Sequence, residues 1–331
     1  MNEFDRIATY LAPLTRGADA ALGLTDDAAL WQPPPGRAVV LTTDTMVSGR
    51  HYLDDDGPQA VAAKLLRVNL SDLAAMGATP FGFLLNTALG PHEDEAWLAA
   101  FAEGLGADID RYEVPLLGGD SVATPGPAVL TVTAVGTVRA GRALRRNGAA
   151  VGDDIYVSGT VGDAGLGLAI KLGGLTGLPE RLSAPLLQRL HWPEPRLALG
   201  RRLAEGEGGA LASACIDLSD GLLQDLGHVA RQSDLAIRLS APALPLSDAA
   251  AEIVADMPDR LPGLMSAGDD YELAFAAPVA HRAALADLSA ALDLPLTRIG
   301  EAAAGPAGQV VVLDATGAAV EIVGAGYQHF S

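Results

Sequence analysis

The stretch "PQAVAAKLLRVNLSDLAAMGATPFGFLLNTAL" (58–89) changes its hydrophobic period partway along, and that change sets the fold class. Up to Gly77 the apolar residues recur at helical spacing and the glycine supplies a stop; from Phe81 the run is that of a strand. Upstream, "VVLTTD" (39–44) reads as a strand. Downstream come a helix from about Glu93 to Tyr112, the short run "VPLLGGD" (114–120) and the alternating strand "AVLTVTAVGTV" (128–138). Helix and strand alternate, so the fold class expected here is α/β (α+β).

The polar, glycine-bearing segment "RALRRNGAAVGDD" (142–154) marks a boundary, giving expected domains of 1–145 and 146–331. The second part reads as strand "DIYVSG", a helix from about Asp163, a proline-punctuated helical region, strand "ALASACIDL", helix "SDGLLQDLGHVARQ" and strand "LAIRL". Two mixed domains are expected, and 331 residues with 49% hydrophobic content suffice to fill two cores. "VNLSDL" (68–73) and "IDLSDG" (216–221) echo one another, which alone is weak support for related halves.

With 41 acidic against 22 basic residues, the net charge of −19 argues against a nucleic-acid backbone as partner. Phosphate ligands remain open, because metal ions can bring the missing positive charge. Only Lys64 and Lys171 are lysines and no Walker-type loop occurs, so phosphate chemistry would use carboxylates, metals, backbone N–H groups and arginines. No apolar stretch reaches the roughly 20 residues of a membrane helix. The acidic, amphipathic "MNEFDRIATYLAPL" differs from a secretory signal, so no membrane association and a cytoplasmic location are expected. The single cysteine, Cys215, lies in an apolar run and reads as a buried thiol.

The aspartates carry the functional signal. Asp44 closes "VVLTTD", Asp120 closes "VPLLGGD", Asp217 closes "LASACID", Asp220 opens the next helix, and Asp27 precedes another apolar run. In open α/β sheets ligands gather at strand carboxyl ends, so such aspartates are expected to converge on one crevice. Convergence of like charges requires cations, and Mg²⁺ takes one or two carboxylates together with phosphate oxygens. Plainer readings stand beside this one. Asp26 and Asp27 also fit a turn or cap pair, "GGD" a tight turn, Ser219 a helix N-cap, Asp153 and Asp154 a turn, and His51 a structural histidine.

Taken in order, "TDDAAL" (25–30), "TTDTMVSGRHY" (42–52), "VNLSDLAAMGATP" (68–80), "GGDS" (118–121), "GRALRRNGA" (141–149), "DLSDGL" (217–222), "GDDYEL" (268–273) and "GYQHF" (326–330) resemble the thiamine-monophosphate kinases of the aminoimidazole ribonucleotide synthetase-like superfamily. The resemblance spans nearly the whole chain. It implies transfer of the γ-phosphoryl group of ATP to thiamine monophosphate, giving thiamine diphosphate. By matching positions it implies Mg²⁺ ligation by Asp27, Thr42, Thr43, Asp44, Asp72, Asp120, Asp217 and Asp220. It implies ATP contacts from Gly119, Asp120, Arg146 and Ser219, and thiamine monophosphate contacts from His51, Asp269 and Tyr327. It further implies a homodimer built on the N-terminal sheets, with the active site between the domains.

Two positions depart from the family pattern. Thr25 stands where glycine is usual, and Asp269 stands in a glutamate position, which leaves open whether Asp269 or Asp270 meets the substrate. Selenophosphate synthetases need a reactive cysteine or selenocysteine near the N-terminus, and the only cysteine here is at 215. Aminoimidazole ribonucleotide synthetase and a non-catalytic nucleotide- and Mg²⁺-binding protein remain as alternatives.

Overall fold

The computed structural model describes residues 3–206 and 209–320, in two compact units: Met1–Leu73 with Ala78–Gly141, and Ala74–Gly77 with Arg142–Ser331. Tyr327 lies outside the described residues.

The first unit contains, in order, α1 (Glu3–Arg6), β1 (Arg37–Val47), α2 (Pro58–Ala75), β2 (Thr79–Leu89), α3 (Glu95–Tyr112), β3 (Leu116–Ala123) and β4 (Val129–Arg139). The helix-then-strand reading of 58–89 is what the chain adopts. Its four strands form one sheet in the order β1-β4-β2-β3. β2 and β3 are parallel, joined through α3, and the other pairs are antiparallel. From Ala60 to Ser71 every α2 residue is buried, which explains its near-continuous apolar sequence. Arg67 is tolerated there because its guanidinium makes a two-pronged pair with Asp108 of α3, both contacts at 2.7 Å. On β4, Leu130, Val132 and Ala134 are buried while Val129, Thr131, Thr133 and Val135 are half-exposed, the period-2 signature of a sheet covered on one side. The uncovered face presents Val39 (45% exposed), Leu41 (66%), Leu84 (37%) and Val122 (52%).

The second unit follows with β5 (Asp154–Ser158), α4 (Asp163–Lys171), α5 (Glu180–His191), α6 (Leu197–Ala204), β6 (Ala214–Asp217), α7 (Leu222–Gln232) and β7 (Ala236–Ser240). It ends with α8 (Asp248–Asp256), α9 (Leu261–Ser266), β8 (Leu273–Ala277), α10 (Arg282–Leu292), β9 (Leu296–Ala303) and β10 (Val310–Leu313). Among the described residues, six strands make a mixed sheet, β10-β7-β9-β5-β8-β6. Alternate residues face opposite helical layers: Ile155, Val157 and Ile216 pack with Leu222, Leu226 and Val229 of α7, whereas Tyr156, Cys215 and Phe275 pack with Leu199 and Leu203 of α6 and Leu285 and Leu288 of α10. Among the described residues no helix is long and apolar enough to cross a membrane.

The echo between 68–73 and 216–221 does not reflect a structural repeat. "VNLSDL" lies inside α2, while "IDLSDG" runs from the end of β6 into the turn before α7. Asp154 is also no turn residue: it is the first residue of β5, 1% exposed, and takes guanidinium hydrogen bonds from Arg282 and Arg298.

Candidate active-site residues

In the first unit the candidate residues fall on two sides of one sheet. Thr42, Asp44 and Met46 face α2: the Thr42 hydroxyl donates to the Asp72 carboxylate at 2.5 Å, and the Asp44 backbone N–H donates to Asn69 Oδ1 at 3.0 Å. Asn69 is fully buried and held by its own bond to the Leu65 carbonyl, so α2 clamps the β1 backbone at Asp44 from a rigid position. Thr43 points the other way, donating to the Val132 carbonyl at 3.0 Å and accepting from Thr133 at 3.1 Å.

Asp44 and Asp120 are not strand ends, as expected from the sequence; both are interior to strands that run on to Val47 and Ala123. The expected turn at "GGD" is strand as well, and the glycine has a specific cause. Gly119 has φ +152, and a Cβ there would lie 1.8 Å from the Leu85 carbonyl oxygen. Asp44, Val132, Leu85 and Gly119 form one cross-strand row. Three strand spacings of about 4.8 Å therefore put Asp44 and Asp120 about 14 Å apart, at opposite edges of the sheet. Within one chain these two do not converge. Asp120 is exposed, accepts from the Ser121 N–H at 2.9 Å, and is in register with Asn86.

His51 follows β1 in a tight loop. Its Nδ1 accepts the Val47 N–H at 3.0 Å, and since a backbone N–H can only donate, the neutral ring carries its proton on Nε2. Asp27 lies in an exposed bend at 26–28, with no helix for Asp26 or Asp27 to cap. Thr25 sits at φ −109 with its hydroxyl on the Leu22 carbonyl, so its backbone makes no demand for glycine.

In the second unit Asp217 does close its strand, 4% exposed, and Asp220 lies three residues further on. Ser219 is not an N-cap: the cap position of α7 is Gly221, with no side-chain capping bond. Asp225, one turn into α7, reaches back to accept the N–H groups of Asp220 and Gly221, both at 3.1 Å. Burial pushes the Asp225 carboxyl up to about 7 against these bonds and the Arg146 charge. Arg146 is exposed beside α7, tethered by the Ser233 hydroxyl on its carbonyl at 3.3 Å.

The segment around Asp269 is bonded directly to this turn. Asp269 N–H donates to the Ser219 carbonyl at 2.9 Å, Tyr271 N–H to the Leu218 carbonyl at 2.8 Å, and Leu218 N–H to the Glu272 carbonyl at 2.8 Å. Asp269 is half-exposed whereas Asp270 is 1% exposed, its carboxylate taken up by the N–H groups of Gly162 at 2.6 Å and Ala164 at 3.2 Å. Of the two, only Asp269 keeps part of its surface exposed.

Asn69, Asp225 and Asp270 hold the backbone around these residues, and of the three only Asp225 carries no signal in the sequence. The repeated Asn/Asp-Leu-Ser-Asp pattern was the one signal that singled out Asn69. The donor set is carboxylate and hydroxyl oxygen throughout, the chemistry Mg²⁺ prefers. Among the described residues no three His, Cys, Asp or Glu side chains stand together so as to hold an ion by themselves. Mg²⁺ completes its shell with phosphate oxygens and water, so one or two carboxylates per ion fit it.

Residues 25–138 match the N-terminal domain of AIR synthase related proteins, and 150–313 match their C-terminal domain. The chain is 42% identical over 330 residues to the thiamine-monophosphate kinase of Salmonella typhimurium, covering 99% of this chain and 98% of that protein. The crystal structure of thiamine-monophosphate kinase from Stenotrophomonas maltophilia K279a superposes with a TM-score of 0.83 at 43% identity, over 93% of this chain and 95% of that one. AaThiL complexed with AMPPCP and TMP superposes with a TM-score of 0.76 at 28% identity, over 92% and 91%.

Proposed function

Since the chain belongs to the thiamine-monophosphate kinase family, we propose that it transfers the γ-phosphoryl group of ATP to thiamine monophosphate, giving thiamine diphosphate and ADP. AaThiL holds AMPPCP and TMP together, and the matching co-substrates here are ATP and thiamine monophosphate. What supports the reading most is the Asp269–Ser219 backbone bond, which joins the segment assigned to the acceptor to the turn assigned to ATP.

The acceptor is a phosphate monoester whose second pKa is about 6, so at neutral pH it is already largely dianionic and needs no general base. One of its oxygens attacks the γ-phosphorus in line, the bond to the β-phosphate oxygen breaks, and ADP leaves without a phosphoenzyme. Positioning and charge are then the protein's whole task. Asp27, Thr42, Thr43, Asp44, Asp72, Asp120, Asp217 and Asp220 are assigned to Mg²⁺, by side chain, backbone carbonyl or water. Mg²⁺, when bound, supplies the positive charge that phosphate oxygens require in so acidic a chain. Gly119, Asp120, Arg146 and Ser219 are assigned to ATP. His51, through its Nε2–H, Asp269 and Tyr327 are assigned to thiamine monophosphate, an acid and an aromatic suiting a cationic thiazolium.

We assign residues 1–145 to ATP and Mg²⁺ binding and dimerisation, 146–331 to a C-terminal α/β domain, and the protein to the cytoplasm. A homodimer is favoured by the uncovered face carrying Val39, Leu41, Leu84 and Val122. It is favoured also by the separation of Asp44 from Asp120, which a second copy with its β3 edge beside β1 would remove.

The test is purified protein with ATP, thiamine monophosphate and Mg²⁺, the products resolved by chromatography. Thiamine diphosphate and ADP in equal amounts, dependent on Mg²⁺, are expected. Intact ATP binding without turnover would overturn the reading.

A further inference from the structure

Two residues of the "GDDYEL" segment have backbone conformations that side-chain-bearing residues rarely adopt: Asp269 at φ +71 and Tyr271 at φ +50. Such conformations persist where surrounding bonds over-determine them, and they concentrate at functional positions. Here the bonds are identifiable: beside the backbone bonds of Asp269 to Ser219 and of Tyr271 to Leu218, the two residues that alternate with the strained pair are anchored by their side chains.

Asp270 turns inward. Its carboxylate spans the N-terminus of the nine-residue α4, accepting from Gly162 and Ala164, and its carbonyl accepts from Arg189 of α5 at 3.0 Å. Glu272 is fully buried and takes the Ser158 hydroxyl at 2.5 Å, Arg196 Nε at 2.6 Å and the Arg189 guanidinium. The neighbouring backbone is shaped around it: a Cβ on Gly159 would lie 2.2 Å from Glu272 Oε1. With 270 and 272 locked inside, Asp269 and Tyr271 stand half-exposed on the opposite side of the segment.

We propose that Asp270 and Glu272 are positioning residues whose buried carboxylates hold Asp269 and Tyr271 in left-handed conformations, presenting an acid and an aromatic ring as a paired contact for the cationic, aromatic end of the acceptor. Tyr271 thereby becomes a specificity residue beside Asp269. The proposal rests on the assignment of this segment to thiamine monophosphate. The backbone strain is held by charge-assisted bonds to α4, α5 and Arg196, so it survives without a ligand and the pair is pre-organised.

The experiment measures KM for each co-substrate in Asp269→Ala, Tyr271→Leu, Asp270→Asn, Glu272→Gln and Arg196→Gln, with melting temperature alongside. Arg196→Gln removes one Glu272 partner without altering the segment, so it remains informative where Asp270→Asn or Glu272→Gln folds poorly. Expected are a rise of at least tenfold in KM for thiamine monophosphate for Asp269→Ala and Tyr271→Leu, and of severalfold for a folded positioning variant, each exceeding the change in KM for ATP. A purely structural role would lower the melting temperature and leave the ratio of the two KM values unchanged; that result overturns the proposal. If Asp269→Ala itself leaves the acceptor KM at the wild-type value, the assignment of the segment to substrate fails instead. If Asp269→Ala raises it while Tyr271→Leu and Arg196→Gln do not, the positioning proposal alone fails.

Discussion

Asp269 and Ser219, fifty residues apart in the chain, are joined by a 2.9 Å hydrogen bond from the Asp269 N–H to the Ser219 carbonyl. That bond ties the loop before β8 to the turn before α7, so a change in one is transmitted to the other through backbone.

Gly268 sits at the seam. A Cβ there would lie 2.3 Å from the Ser219 carbonyl oxygen and must displace one of the two segments. Gly268→Ala is expected to lower kcat/KM for both co-substrates, by roughly 100-fold if the displacement reaches 1 Å. Steady-state kinetics with each co-substrate varied in turn, on protein of native circular dichroism, checks this; an effect confined to one co-substrate contradicts a shared seam.

The placement of Asp44 and Asp120 at opposite edges of one sheet predicts complementation between chains. In the proposed homodimer, Asp44→Asn and Asp120→Asn should each be nearly inactive on its own. In a mixed dimer, one of the two shared sites would carry both substitutions and the other neither. Refolding the two variants together should then restore a sizeable fraction of wild-type turnover. Mixed dimers with no more activity than the parents would show that the two residues do not serve a shared site.

Asp154 provides a test of stability against pH. Its carboxyl is held below the usual carboxylate range, first by the Arg282 hydrogen bond and then, against the opposing effect of burial, by Arg298. A depressed folded-state pKa contributes stability above the unfolded value of about 3.9, lost as pH falls through the folded value. Asp154→Asn should therefore cost about 1–3 kcal/mol at pH 7. The difference from wild type should shrink as pH drops below about 4. Urea unfolding across pH 3–8 measures it, and a pH-independent difference would assign the loss to packing.

Cys215 is 2% exposed between α6, α10 and the sheet, and burial drives its thiol far above the ordinary range. In the folded protein it should react with an aromatic disulfide reagent orders of magnitude more slowly than in denaturant. Rapid labelling of the native state would place the thiol at an accessible position and contradict the burial.

Much of the fold is legible in the chain because period and punctuation are local properties. The 3.6-residue period of 58–75 and the glycine at 77 specify α2, and the alternation of 128–138 specifies β4 with one face covered. The sites were legible only as residue types. Asp44 and Asp120 read as strand ends because a polar residue, Thr45 or Ser121, follows each, yet pairing to β4 and β2 carries both strands further. Ser219 looked like a cap because Ser before Asp-Gly favours one, while Asp225 satisfies the N–H groups instead.

The sequence by itself determined the fold class, the acidic oxygen-donor chemistry and the ordered motifs of the family, since each depends on residue identity and short-range spacing. Only tertiary structure decided which carboxylates can act together. Asp44 and Asp120 are separated by strand order, Asp269 is bonded to the Ser219 turn, and Asp270 is spent on the N-terminus of α4. Those outcomes depend on strand pairing and on where buried N–H groups find acceptors, and both bring together residues remote along the chain.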